Sequence, residues 1–243
     1  AGPRRQRTQE VRRSVVAPGA ELSQRGRMIF ETGGVRDQQV IKAFATGLPE
    51  TRSFPTDVWE RLQRQVVKDY RASVLLHGDP QGAEPLRKAI ATYLNLERGA
   101  TCTPDQVLVL SSTRQALYLC AQLLVDAGKP ILLENPGYYG ARKAFAIAET
   151  KVLPIDVDER GIRTDLLFAD RSGANCVYVT PSHQYPTGAT LPLERRLELI
   201  NWAAQKAKWI IEDDYDSEFH YDGQPTACVQ GLDRYQRTLY TVS

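Results

Sequence analysis

Two rhythms of apolar residues run along this chain. Behind Pro55-Thr56-Asp57, the residues Val58, Leu62, Val66 and Tyr70 recur at helical spacing, which predicts an amphipathic helix with one apolar stripe. Pro85 opens a second helical pattern with Leu86, Ile90, Tyr93 and Leu94, and Gly99 stops it. Short apolar runs then alternate with longer periodic stretches. Val107–Leu110, Ile131–Leu133, Lys151–Ile155, Asn175–Val179, Trp209–Ile211 and Thr238–Val242 read as strands. Thr113–Ala127, Tyr139–Ala148 and Leu193–Lys206 read as helices. This alternation predicts an α/β fold, a mostly parallel sheet flanked by helices on both faces.

The first 54 residues lack that order. Residues 1–27 show no apolar periodicity, and residues 28–54, with Gly33-Gly34, Gly47 and Pro49, read as an extended lead-in laid over a domain surface. The expected division is a basic linker (1–27), the lead-in (28–54) and one domain from residue 55 to 243. No internal repeat or low-complexity tract appears.

Charge sharpens the division. The net charge of the 243-residue chain is only +2, too close to zero to argue for nucleic acid, but residues 1–27 hold seven Arg and two Glu. The rest carries 24 basic and 27 acidic residues, so a basic tail precedes a mildly acidic body. The tail suits a solvated linker, or an arm that touches phosphates. With 42% hydrophobic and 25% charged residues the composition is globular. No apolar run reaches the roughly 18–20 residues of a membrane span, and no secretory signal is visible. Cys102, Cys120, Cys176 and Cys228 lie 18, 56 and 52 residues apart, without metal spacing, as in a reduced cytosolic thiol set.

In open α/β sheets ligands bind beyond the carboxyl ends of strands, so the residues following each expected strand carry the chemistry. Ser111-Ser112-Thr113-Arg114-Gln115 opens a helix, where free backbone N–H groups and Arg114 would suit an anion; plain N-capping is the alternative. In Glu134-Asn135-Pro136-Gly137-Tyr138-Tyr139-Gly140, the Pro-Gly turn throws two tyrosines forward, to stack on a flat heterocycle or simply to fill the core. Thr180-Pro181-Ser182-His183-Gln184-Tyr185-Pro186-Thr187-Gly188 is a rigid loop crowded with polar side chains, although His183 could be a surface or capping residue. The last strand runs into Glu212-Asp213-Asp214-Tyr215-Asp216-Ser217-Glu218. Strand alternation puts Asp213 and Tyr215 on one side, an acid for a protonated ring nitrogen and a phenol for a ring oxygen. The alternative is an acidic strand end facing solvent. A flat, phosphorylated, protonatable ring would use all four segments, and pyridoxal 5′-phosphate fits.

From about residue 46 to 243 the chain resembles fold-type I pyridoxal-phosphate aminotransferases, and more narrowly the aminotransferase-like domain of MocR/GabR-type transcription regulators of the GntR superfamily. The resemblance is carried by Gly78-Asp79-Pro80-Gln81-Gly82 with Leu86-Arg87, by Glu134-Asn135-Pro136-Gly137-Tyr138, by Thr180-Pro181-Ser182-His183-Gln184 with Pro186-Thr187-Gly188, and by Ile211 to Phe219. It implies that Ser112, Thr113 and Arg114 hold the phosphate, that Tyr138 stacks on the pyridine, that Asp213 pairs the ring nitrogen and that Tyr215 bonds the phenolic oxygen, with His183 near that oxygen. Many aminotransferases place Asn where Tyr185 stands, so ordinary transaminase efficiency is in doubt. The family's Schiff-base lysine is expected just beyond Ser243, and none of the eight lysines here occupies its place, so no catalytic residue is assigned. The expected protein is regulatory rather than catalytic: cytoplasmic, homodimeric, not bound to membrane, sensing an amine or amino-acid effector and acting on DNA through a domain outside this chain. A metabolic aminotransferase is the alternative.

If residues 1–27 touch DNA, they do so without reading it, since nothing there presents side chains to base edges in a fixed register. A gel assay on promoter and scrambled DNA across a salt series is expected to show no preference and a steep loss of binding with salt, with a slope of about 0.9 per phosphate neutralised.

Overall fold

A computed structural model of the chain describes residues 22–31, 50–219 and 226–243. Residues 22–31 hold one helix, α1 (Gln24–Glu31), started by Ser23, whose hydroxyl accepts from the Gly26 amide at 2.9 Å. Residues 28–31 are therefore helical where an irregular lead-in was expected; a local cap is enough to start a short helix without a long apolar period. The remainder of the expected linker and lead-in up to residue 49 lies outside the described residues.

From residue 50 the described chain runs through α2 (Thr56–Tyr70), α3 (Glu84–Glu97), α4 (Thr113–Leu124), β1 (Pro130–Asn135), α5 (Tyr139–Ile147), β2 (Lys151–Asp158), β3 (Gly161–Ile162), α6 (Thr164–Ala169), β4 (Cys176–Val179), α7 (Leu193–Lys206), β5 (Trp209–Asp214), α8 (Val229–Leu232) and β6 (Thr238–Val242). The strands form one sheet in the order β3-β2-β1-β4-β5-β6. Every neighbouring pair is parallel except the β2–β3 hairpin. Apolar strands buried on both faces explain the short continuous runs in the sequence. On one face Leu117 and Ala121 of α4 and Ala144 and Phe145 of α5 pack on Ile131, Leu133, Tyr178 and Ile211. On the other, Leu199, Trp202 and Ala203 of α7 and Leu167 of α6 pack on Leu132, Val177, Val179 and Ile210.

Two sequence expectations change. Val107–Leu110 is not a strand: among the described residues no ladder forms beside it, and the Val109 amide donates instead to the Gln81 carbonyl at 2.8 Å. A Cβ on Gly82, whose φ is +107°, would fall 2.6 Å from the Val109 side chain, so glycine is needed for this approach. Buried Arg87 ties the same turn, donating to the Gly82 and Pro104 carbonyls and to Asp79. The second change concerns α2, which forms as expected but buries no residue; Val58, Leu62, Val66 and Tyr70 are all exposed.

Arg196 of α7 is buried and donates to three carbonyls, Leu191 at 2.8 Å, Pro181 at 2.8 Å and Ala227 at 3.0 Å. It closes both ends of the loop that follows β4. Arg196→Met would remove all three bonds, leaving the buried Leu191 carbonyl and the half-buried Ala227 carbonyl without this donor while Pro181 keeps the Leu191 amide, at a cost of about 2–3 kcal/mol. Urea denaturation is expected to show a markedly lower midpoint with an unchanged slope; an unchanged midpoint would remove Arg196 from this role.

Candidate functional site

The sheet reverses its direction of growth between β1 and β4. The chain leaves β1 through α5 to β2 on one side and returns to β4 on the other. A crevice opens beyond the carboxyl ends of strands at such a switch point. Around it lie the segments after β1, β4 and β5, with the start of α4 on the same face as α5.

Glu134, near the end of β1, ties the crevice together. Its buried carboxylate accepts from the Thr180 hydroxyl at 2.7 Å, the Thr180 amide at 3.2 Å and the Gln184 side chain at 3.3 Å. Gln184 also donates to the Pro136 and Tyr185 carbonyls and accepts from Thr187, so the loops after β1 and β4 share one network. The Asn135–Pro136 and Tyr185–Pro186 peptides in these loops are cis. Tyr138 follows Pro136-Gly137 and packs edge-on against Tyr185, which packs edge-on against Tyr215, with centroids 5.5 and 6.0 Å apart. Gly140 leaves room for the first ring, since a Cβ there would sit 2.3 Å from Tyr138.

Asp213 is 3% exposed and faces the α4–α5 side of the sheet. Among the described residues its two oxygens accept only from hydroxyls, Tyr178 at 2.6 Å and Thr241 at 3.1 Å. Among the described residues no cationic side chain pairs with it. Burial raises its pKa, against the pull of the two hydroxyls. Tyr215 lies one residue past β5 and is about a third exposed; burial, with Asp216 and Asp213 nearby, raises its phenol to about 12, so it remains a donor. His183 is half-buried, with Nδ1 2.7 Å from Asp216 Oδ1.

The acidic strand end does not face solvent. Glu212, Asp213 and Asp214 are all buried, as befits a strand covered on both faces. Glu212 accepts from the Val229 and Gln230 amides at the start of α8. Asp214 accepts from the Tyr240 hydroxyl and the Ser217 amide, with Arg98 beside it.

Ser112 caps α4, accepting from the Gln115 amide at 3.3 Å, as plain capping would have it. Thr113 and Arg114 make no such bond among the described residues, and Arg114 is exposed. The site thus gathers Tyr138, His183, Asp213 and Tyr215 around one crevice. Sequence reasoning passed over Glu134, Tyr178, Thr241 and Asp216. Alternation along β4 and β5 could have found Tyr178, which shares its face with Ile211 and Asp213.

The family model for aminotransferase class I and II matches residues 45–243, and the chain belongs to that family. It also resembles transcription regulators. It is 37% identical over 234 residues to a probable rhizopine catabolism regulatory protein, MocR, of Rhizobium meliloti, covering 95% of this chain and 46% of that one. It is 34% identical over 186 residues to the pyridoxine biosynthesis regulator PdxR of Corynebacterium glutamicum, covering 76% and 39%. The chain therefore spans less than half of either regulator. Among solved structures, a multiple-substrate aminotransferase from Thermococcus profundus superposes with a TM-score of 0.77 at 27% identity, over 91% of this chain and 58% of that one. The α-aminoadipate aminotransferase LysN from Thermus thermophilus, complexed with N-(5′-phosphopyridoxyl)-L-leucine, gives 0.75 at 28%, over 82% and 51%.

Burial raises both Glu134 and Glu212 to about 7, well above the 4.5 of a free glutamate. The folded chain then holds more protons than the unfolded one between those values, so stability is full below about pH 4.5 and falls as pH rises through 7. Each group contributes on the order of 1–3 kcal/mol to that fall. Urea midpoints are expected to drop between about pH 4.5 and 7 and to level off above that, and Glu134→Gln is expected to flatten part of the slope. A flat wild-type profile over that window, or a slope unmoved by Glu134→Gln, would contradict the assignment.

Proposed function

We propose that this chain is the pyridoxal-phosphate-binding, effector-sensing domain of a bacterial transcription regulator, acting in the cytoplasm as a homodimer. An amine or amino-acid effector meeting the cofactor would alter the domain, and a DNA-binding domain elsewhere in the protein would respond. One observation carries the cofactor reading. Asp213 is a buried carboxylate whose partners among the described residues are two hydroxyls, and burying a charge is costly unless it is paired. A protonated pyridine nitrogen is the cation such a site lacks.

The other residues suit the same group. Thr113 and Arg114 offer unused donors at a helix start to a phosphate. Tyr138 offers a ring face, with Gly140 making room behind it. Tyr215 stays protonated and can donate to a ring oxygen. Bound pyridoxal phosphate supplies an electron sink for bonds at an amine's α-carbon. The regulator reading draws on the resemblance to MocR and PdxR and on Tyr185, which stands where many aminotransferases carry Asn. A metabolic aminotransferase is the second reading, favoured by the solved aminotransferases of like fold. A winged helix encoded upstream in the same reading frame supports the first and counts against the second.

Asp213→Asn removes a charge-assisted hydrogen bond, worth about 1.5–3 kcal/mol. In the full-length protein this is expected to weaken pyridoxal phosphate by about 10- to 100-fold and to shift its visible absorption, as followed by titration. Asp214→Asn is expected to leave both unchanged. The reverse result would mean that Asp214, not Asp213, serves the ring.

A further inference from the structure

We propose that Asp216 is a positioning residue for His183: its carboxylate holds the imidazole as the Nδ1–H tautomer, leaving Nε2 as a fixed hydrogen-bond acceptor in the crevice. Three observations carry this. Asp216 Oδ1 lies 2.7 Å from His183 Nδ1, within the range of a charge-assisted bond. A carboxylate there can only accept, so Nδ1 must carry the proton and the lone pair of the neutral ring falls to Nε2. The pair also joins two separate strand-end segments, the loop after β4 and the turn after β5, and both side chains are only partly exposed.

The surroundings sharpen the role. Tyr215, next to Asp216, is held as a phenol and can donate. Gln184, next to His183, spends its amide on backbone carbonyls and on Glu134. His183, held by Asp216, offers a ring nitrogen as acceptor at a fixed position in this loop. A hydroxyl or ammonium group is the ligand chemistry an Nε2 lone pair would select. Tyr185 and Tyr215, within two residues of the pair in sequence, pack edge-on against each other beside it.

The tautomer belongs to this chain alone; only the ligand role rests on the cofactor reading. The chain has three histidines, His77, His183 and His220, so imidazole nitrogen signals in a long-range proton–nitrogen correlation spectrum can be assigned one by one. At about pH 9, above the ordinary histidine range, His183 is expected to show a protonated Nδ1 and an unprotonated Nε2. In Asp216→Ala the two are expected to exchange, while exposed His77 stays unchanged. An Nε2–H ring in the unaltered chain overturns the proposal with no variant needed, as does an unchanged His183 in Asp216→Ala. In the full-length protein loaded with pyridoxal phosphate, Asp216→Ala and His183→Ala are expected to shift the visible absorption alike, and the double variant no further than His183→Ala. Additive shifts would separate the two residues and overturn the positioning role. A full-length protein that takes up no pyridoxal phosphate would sink the cofactor reading, while the tautomer would still be decided by the first measurement.

Discussion

The crevice depends on one buried carboxylate. Glu134 stands where the sheet changes its direction of growth, at the end of β1, and accepts from both backbone and side chain at the start of the loop after β4. Parallel strands bring their carboxyl ends to one edge but do not fix the loops that leave them. A hydrogen-bonded acid does so here, because leaving its oxygens unpaired would be costly. Through Gln184 the same anchor reaches Pro136, Tyr185 and Thr187, and through the rings it reaches Tyr138 and Tyr215.

The three consecutive acids ending β5 show how one strand serves three purposes. Glu212 points to the α7 side and is met by two amides of a helix start, so it orders the chain around α8. Asp214, on the opposite parity to Asp213, meets Tyr240, the Ser217 amide and Arg98, which fastens the turn after β5 to α3. Both are satisfied within the chain by amides or by a neighbouring cation. Asp213 differs, since two hydroxyls stabilise its carboxylate without neutralising it. That difference in compensation, more than burial itself, sets Asp213 apart from its two neighbours.

Much of this was legible before any coordinates. α7 and β6 fall at the expected bounds, because Pro192 starts the first and both have clean patterns. The hairpin strand β3 and the helices α6 and α8 are too short to carry a period, and they were missed. Val107–Leu110 has the composition of a strand, but composition cannot say whether a partner lies beside it. Asp213, Tyr138, Tyr215 and His183 were legible because rigid turns and strand ends flagged them. Glu134 and Asp216 were not, since an acid beside a turn ordinarily faces water and only the fold shows what it meets. Tyr178 sat in an apolar run, where its hydroxyl left no mark on the pattern.

The helix α2 and the residues around it raise a different matter. Val58, Trp59, Leu62, Val66, Val67, Leu75 and Leu76 are all at least 40% exposed, an unburied set of large apolar side chains on and just after this helix. Each square ångström of such surface left in water costs about 25 cal/mol relative to burying it. Any partner that covered these side chains would add its binding free energy to the fold, and were that partner a second copy of this chain, the melting temperature would rise with protein concentration.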